Sequence, residues 1–284
     1  MPKTREIKRR IGNVKNIKQI TKAMNAIAMA KVTKMKKRLE KTKNYVEGMK
    51  ESSLKLSYLT RETDNKLVNP AHDGSIGIMV FNSDRGLCGR YKDQLNRSTR
   101  DFINSRDNPV ELYAGGEKGY VYFRKWKELH KEWVNFYDEP NYDKAKTIAS
   151  FILDRFFQEK ISEFWVVYMG FVSDLNQNLK VEKILPFKFD EEAEEGNFIT
   201  EPSSKELIAE FLVKYFESII FRILMETKTS EHAIRRTAMR DATNNANELI
   251  DELTVTYNKA RQQQITREVA DIMGGAEALR QEES

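Results

Sequence analysis

The chain has 284 residues, 40% hydrophobic and 32% charged, which is too charged for one compact globule and too apolar for a disordered chain. Long helices that bury one stripe and solvate the rest reconcile the two figures. The net charge of +5 hides an asymmetry: the first 50 residues carry 16 Lys/Arg against 3 Glu, which leaves 32 against 40 in the remainder.

Between Lys3 and Asn69 there is no proline, and the only glycines are Gly12 and Gly48. One helix of roughly 55 residues, about 80 Å long, is predicted there. Its apolar positions, Ile7, Ile11, Val14, Ile17, Met24, Ala28, Met35, Leu39, Val46 and Met49, advance in steps of mostly three and four. That is a narrow seam for one partner helix. This N-terminal helical segment is assigned residues 1–60.

The middle, 61–202, has another texture. "SIGIMVF" (Ser75–Phe81), "VELYA" (Val110–Ala114), "FWVVYMGF" (Phe164–Phe171) and "LKVEKILPF" (Leu179–Phe187) read as strands, with helical patterns at Tyr91–Ile103 and Lys144–Gln158. The alternation predicts an inserted, small doubly wound α/β domain. "DEEAEEGN", Asp190–Asn197, reads as a solvated acidic loop.

The last segment, 203–284, has neither Gly nor Pro from Ser203 to Met273, enough for a helix of about 107 Å. Pro202 with Ser203 and Ser204 marks its start, and Gly274-Gly275 a stop. Its stripe runs through Leu207, Phe211, Tyr215 and Ile219, then Ala238, Ala242, Ala246, Leu249, Leu253, Tyr257, Ala260, Ile265, Val269 and Ile272. Neither terminal helix is stable alone in water, so the two are expected to pair as an antiparallel coiled coil. The C-terminal helix is longer by about 25 Å and should project past its partner.

Chemistry is sparse. "SDRGLCGRY", Ser83–Tyr91, falls between a strand and a helix but has neither the dinucleotide nor the Walker glycine order, so it reads as a tight turn needing Gly86 and Gly89. "YAGGEKGYVYF", Tyr113–Phe123, reads as glycines that turn the chain. His72, His130 and His232 are scattered without a ligand pattern, and no nucleophile elbow appears, so no cofactor, metal or catalytic residue is assigned. Cys88 is the lone cysteine, which excludes an intramolecular disulfide. No run of 18 apolar residues exists and "MPKTREIKRR" is no signal sequence, so the chain is expected to be soluble, without membrane insertion, in a reducing compartment. The basic N-terminal helix could meet duplex DNA, an anionic membrane or an acidic protein surface. Its seam is too narrow for a membrane and uses the face a groove reader needs, which ranks a protein partner first and a coiled-coil nucleic-acid or membrane-associated scaffold second.

Three stretches carry a resemblance. "RRIGNVKNIKQITKAMNAIAMAK" (Arg9–Lys31), "SDRGLCGRY" and "AMRDATNNANELIDELTVTYNKARQQQITREVADIMGGAEAL" (Ala238–Leu279) are similar to the signatures of the γ-subunit family of F-type ATP synthases. The resemblance implies a noncatalytic central-stalk rotor. Its coiled coil would turn inside a ring of three α and three β subunits, and its α/β domain would lie beside ε on the c ring. The assembly would be peripheral on the cytoplasmic face of a bacterial plasma membrane.

By the same resemblance, Met24, Arg261, Gln262, Thr266 and Glu268 contact the α/β ring, and Lys34, Lys36 and Lys37 form a basic face passing acidic β segments. Ile265, Val269, Ile272, Met273 and Leu279 form an apolar bearing, and Glu201 within "NFITEP" meets the c ring. Phe198, Thr200 and Lys92 depart from the family pattern. Nucleic acid is not an expected partner, and nucleotide chemistry belongs to α and β.

Overall fold

The computed structural model describes the backbone of residues 2–61, 65–70, 74–188 and 204–282. The elements, in order, are α1 (Pro2–Arg61), β1 (Ser75–Phe81), α2 (Tyr91–Asn104), β2 (Val110–Gly115), α3 (Glu117–Phe123), β3 (Leu129–Trp133), α4 (Tyr142–Phe157), β4 (Ile161–Phe171), β5 (Gln177–Leu185) and α5 (Ser204–Glu282). Two compact units result, one of Met1–Ile27 with Thr237–Ser284, the other of Ala28–Arg236.

In the larger unit the strand order is β3-β2-β1-β4-β5. The chain winds from β1 outward to β2 and β3, then returns through α4 to β4 on the other side of β1. These four strands are parallel, and β5 closes the edge antiparallel to β4, with Val167 opposite Val181. Strand alternation separates two cores. Ile76, Ile78 and Val80 pack with Leu95 and Ile103 of α2 and Phe123 of α3. Met79 and Phe81 pack with Ile148 and Ile152 of α4 and with Phe216, Ile220 and Leu224 of α5. Helices therefore cover both faces.

A third cluster joins Val32 and Leu39 of α1 to Met225 and Ala233 of α5 around Phe171, at the end of β4. In the smaller unit the helices run antiparallel: Thr21 Oγ1 lies 2.8 Å from Thr243 Oγ1, and Thr4 Oγ1 donates to Gln264 Oε1 at 2.9 Å. Its buried seam holds Ile7, Thr21, Met239 and Ala246. Ile17 and Leu249, expected on the seam, are 53% and 43% exposed.

Three elements differ from expectation. Gly274-Gly275 does not stop α5, which runs to Glu282. Neither glycine adopts the left-handed backbone that ends a helix, and the Ala, Glu, Leu, Arg and Gln residues beyond them favour helix. The glycine stretch at Tyr113–Phe123 contains the short helix α3, started from Gly116 at φ +81°; a Cβ at Gly116 would lie 2.3 Å from the Asn82 carbonyl oxygen. β3, "LHKEW", is a polar edge strand without an apolar run to announce it.

Candidate functional site

Helix α5 is polar yet enclosed on every side from Thr227 to His232, with Ala233 and Arg235 also buried. A helix that is polar all round ordinarily stands in water, so each buried charge here needs a partner. Lys228 Nζ lies 2.8 Å from Glu231 Oε2 and 3.3 Å from Asp138 Oδ1, over the Tyr137 ring. Arg235 Nη2 donates to Glu231 Oε1 at 2.7 Å and to the carbonyls of Arg85 and Gly86 at 3.4 Å. Two turns earlier, buried Glu226 is met by Arg222, Lys180 of β5 and Lys43 of α1 at 3.0, 3.4 and 3.7 Å. Charged side chains of α1, β5 and the segment at Asp138, with the carbonyls of Arg85 and Gly86, thus key α5 into a socket.

The ionisation states follow from this packing. Burial raises the Glu231 and Asp138 carboxyls, but Lys228 acts on both, with Arg235 on Glu231 and with Lys31 and Arg85 on Asp138, and the net shift is downward. Burial pushes His232 down to about 4, and Arg235 and Lys228 add to that against the pull of Glu231. The neutral imidazole accepts from Arg235 Nη1 at 3.2 Å through Nδ1.

The socket occupies the carboxyl ends of β1 and β4, where open α/β sheets commonly hold ligands. The Ser83–Tyr91 turn offers carbonyl oxygens to a guanidinium there, the opposite polarity to a phosphate cradle. Asp84 braces the turn, accepting from the backbone N–H groups of Glu117 and Asn135 at 3.0 and 2.8 Å. Left-handed backbone falls at Leu87 (φ 61°) and Gly89 (φ 55°). Gly86 is outside that region and has open space beside it, so its backbone does not require glycine. What Gly86 supplies is the carbonyl for Arg235.

The predicted contact residues lie elsewhere. Lys34, Lys36 and Lys37 are exposed, but Lys36 pairs with Asp174 at 3.0 Å, and Arg236 takes the other oxygen at 3.1 Å. Asp174, in the β4–β5 turn, so bridges both helices, while Lys34 and Lys37 have no ionic partner among the described residues. In the smaller unit Met24 is half-buried, and Arg261, Gln262, Thr266 and Glu268 are exposed. Glu268 accepts from Gln264 at 2.8 Å, and the Thr266 hydroxyl donates to the Gln262 carbonyl at 3.0 Å. Ile265, Val269, Ile272 and Met273 are 47%, 49%, 71% and 68% exposed. Leu279 lies on the α5 backbone with its side chain outside the described residues, as is Glu201 entirely.

The socket was missed by sequence reading. Its signal is the loss of amphipathic period across "TKTSEHAIRR", together with opposite charges at Lys228, Glu231 and Arg235, spaced three and four apart.

The family described as "ATP synthase" matches residues 3–279. The ATP synthase gamma chain of Desulfitobacterium hafniense is 36% identical over 98% of this chain and 100% of its own length. That of Pelotomaculum thermopropionicum is 34% identical, with the same coverage. The chain belongs to the ATP synthase gamma-chain family. As a gamma chain it is a noncatalytic subunit and the rotor of the central stalk, coupling ion transport to ATP synthesis carried out by other subunits.

Solved structures share the gamma-chain fold at lower identity. A chain of the Euglena gracilis mitochondrial ATP synthase superposes with a TM-score of 0.71 at 17% identity, covering 98% of this chain and 95% of that one. One from the Tetrahymena thermophila central stalk and c-ring structure gives 0.62 at 24%, covering 78% and 99%. The gamma chain is a peripheral part of a membrane-bound complex, and among the described residues no helix is long and apolar enough to cross a membrane.

Proposed function

We propose that this gamma chain turns inside a ring of three α and three β subunits, with the C-terminal part of α5 in an apolar bearing. The observation that carries this reading is the exposed row Ile265, Val269, Ile272 and Met273. Thr4, near the start of α1, pairs with Gln264, so these residues lie beyond the paired helices. An apolar row of that size on an unpaired helix calls for a housing, to which Leu279 would add. Met24, Arg261, Gln262, Thr266 and Glu268 would face the ring lower down, and Lys34 and Lys37 would pass acidic β segments, with Lys36 shared with Asp174.

In this reading residues 61–202 form a doubly wound domain between the helical segments 1–60 and 203–284. That domain meets ε and the c ring, Glu201 at the latter, on the cytoplasmic face of a bacterial plasma membrane. The turn at Gly86 and Gly89 holds the α5 socket closed, and torque passes from domain to helix through Lys228, Glu231 and Arg235.

The test is reconstitution with matched α and β subunits, followed by sedimentation and ATPase assay. One copy of this chain per three αβ pairs, with hydrolysis dependent on it, is the expected result. Absence of a complex from folded subunits would overturn the reading.

A further inference from the structure

Arg106 follows α2, and its guanidinium carbon lies 4.6 Å from the Phe102 ring centroid and 4.9 Å from that of Trp165. The two rings are 5.0 Å apart and inclined at 52°, so the cation is held against two aromatic faces. Arg106 Nε is enclosed without an acceptor, and among the described residues no carboxylate pairs with the guanidinium. Among the described residues no acceptor meets the terminal nitrogens, and of the three guanidinium nitrogens only Nε is both enclosed and unpartnered.

The acid in the same cleft is already engaged. Glu163 takes Lys183 on one oxygen and accepts from Trp165 Nε1 at 2.7 Å on the other. Arg106 and Lys183 thus act on one carboxylate, which leaves a net charge of +1 in a cleft of about 300 Å3 whose lining includes Arg106, Asn108, Ser162, Glu163 and Lys183 beside apolar Ile76. Ile76 and Ser162 place it at the amino-terminal edge of the sheet, the edge opposite the α5 socket.

We propose that this cleft is an oxyanion-binding site for one carboxylate or phosphate group, with Arg106 as its donor fork. A planar guanidinium with two free terminal amino groups matches two oxygens of either group. Stacking fixes it beforehand, so little side-chain freedom is lost on binding. The single net charge suits a singly charged ligand, and the Asn108 amide can add a neutral donor.

The experiment titrates the full chain with inorganic phosphate in one arm and acetate in the other, at constant ionic strength made up with chloride. The readout is the part of the tryptophan emission that Trp165→Phe removes. A saturable change is expected, with Arg106→Gln weakening the midpoint by about tenfold or more. Arg106→Lys keeps the charge but lacks the fork, and should also weaken it. Saturation by phosphate alone assigns a phosphate ligand; saturation by acetate alone assigns a carboxylate, as on an acidic side chain. A response linear in anion, or one with the same midpoint in folded Arg106→Gln and Arg106→Lys, overturns the site.

Discussion

Lys228 Nζ and Asp138 Oδ1 lie 3.3 Å apart, with the lysine side chain wholly removed from solvent. An ammonium in that position is tolerated only while its acids remain. Lys228→Met therefore leaves Asp138 with Arg85 at 3.5 Å and Glu231 with Arg235. Breaking a buried pair costs about 3 kcal/mol, read as a lowered denaturation midpoint of the chain. In the assembled complex, ATP-driven ion pumping should fall further than ATP hydrolysis, because the loss loosens α5 in its socket. Equal losses would place the effect in assembly alone.

His232 makes stability depend on pH. Its folded pKa is about 4 against an ordinary 6.5, so the unfolded chain binds more protons between those values. Stability from this group is complete above about 6.5 and declines as pH falls toward 4, by about 3 kcal/mol in all. The groups acting on it are Glu231, Arg235 and Lys228 of α5 and Lys31 of α1. Asp138 and Glu231, held low, begin to lose their contribution as pH falls through the ordinary carboxylate range and go on losing it at more acid pH. Denaturant melts of the chain and of His232→Gln should diverge between pH 6.5 and 4, where the variant is flatter.

Lys36 must be separated from its neighbours in any test of the basic face. Lys34→Glu with Lys37→Glu should change thermal stability by less than about 0.5 kcal/mol, since neither has an ionic partner among the described residues, yet reduce ATP-driven pumping. Lys36→Glu sets a second acid against Asp174 and should lower stability by up to about 1 kcal/mol, an effect that fades in high salt. Unchanged pumping in the double variant would remove the basic face from the coupling path.

The Thr21 and Thr243 hydroxyls share a bond of 2.8 Å in the seam. Either threonine replaced by valine should cost about 1 kcal/mol, while the double replacement should cost less than the two singles added. A double-mutant cycle in denaturant measures that coupling directly.

Ile272→Gln with Met273→Gln should leave the midpoint of the isolated chain within about 0.5 kcal/mol of wild type, because both side chains are exposed. The same variant should fail to support hydrolysis or rotation in the reconstituted complex. Full activity would mean that no apolar bearing holds this end.

Much of the architecture was legible because long stretches without Gly or Pro, and apolar runs bounded by turn residues, are local signals. The four recognised strands and the helices α2 and α4 lie within a few residues of their expected limits. β3 and α3 were not visible, since an edge strand needs few apolar residues and a seven-residue helix shows barely two turns of period. The seam was read from hydrophobicity, which favours Ile17 over Thr21, whereas the hydroxyl pair with Thr243 places the threonine inward. The Lys228, Glu231 and Arg235 belt could not be read as buried from α5 alone, because Asp138 and the Arg85 and Gly86 carbonyls come from distant parts of the chain. The exposed contact residues rested on family signatures, which do not reveal that Lys36 is tied to Asp174.

Occupying the carboxyl edge of the sheet with the chain's own helix has a consequence for sequence drift. A substrate pocket is held constant by a molecule that does not mutate, whereas the groups that meet Lys228 and Arg235 among the described residues belong to this polypeptide. Among gamma chains, positions 138, 228, 231 and 235 should therefore change together, with loss of one charge accompanied by loss or relocation of its counterpart, while each lineage keeps a filled and neutralised socket.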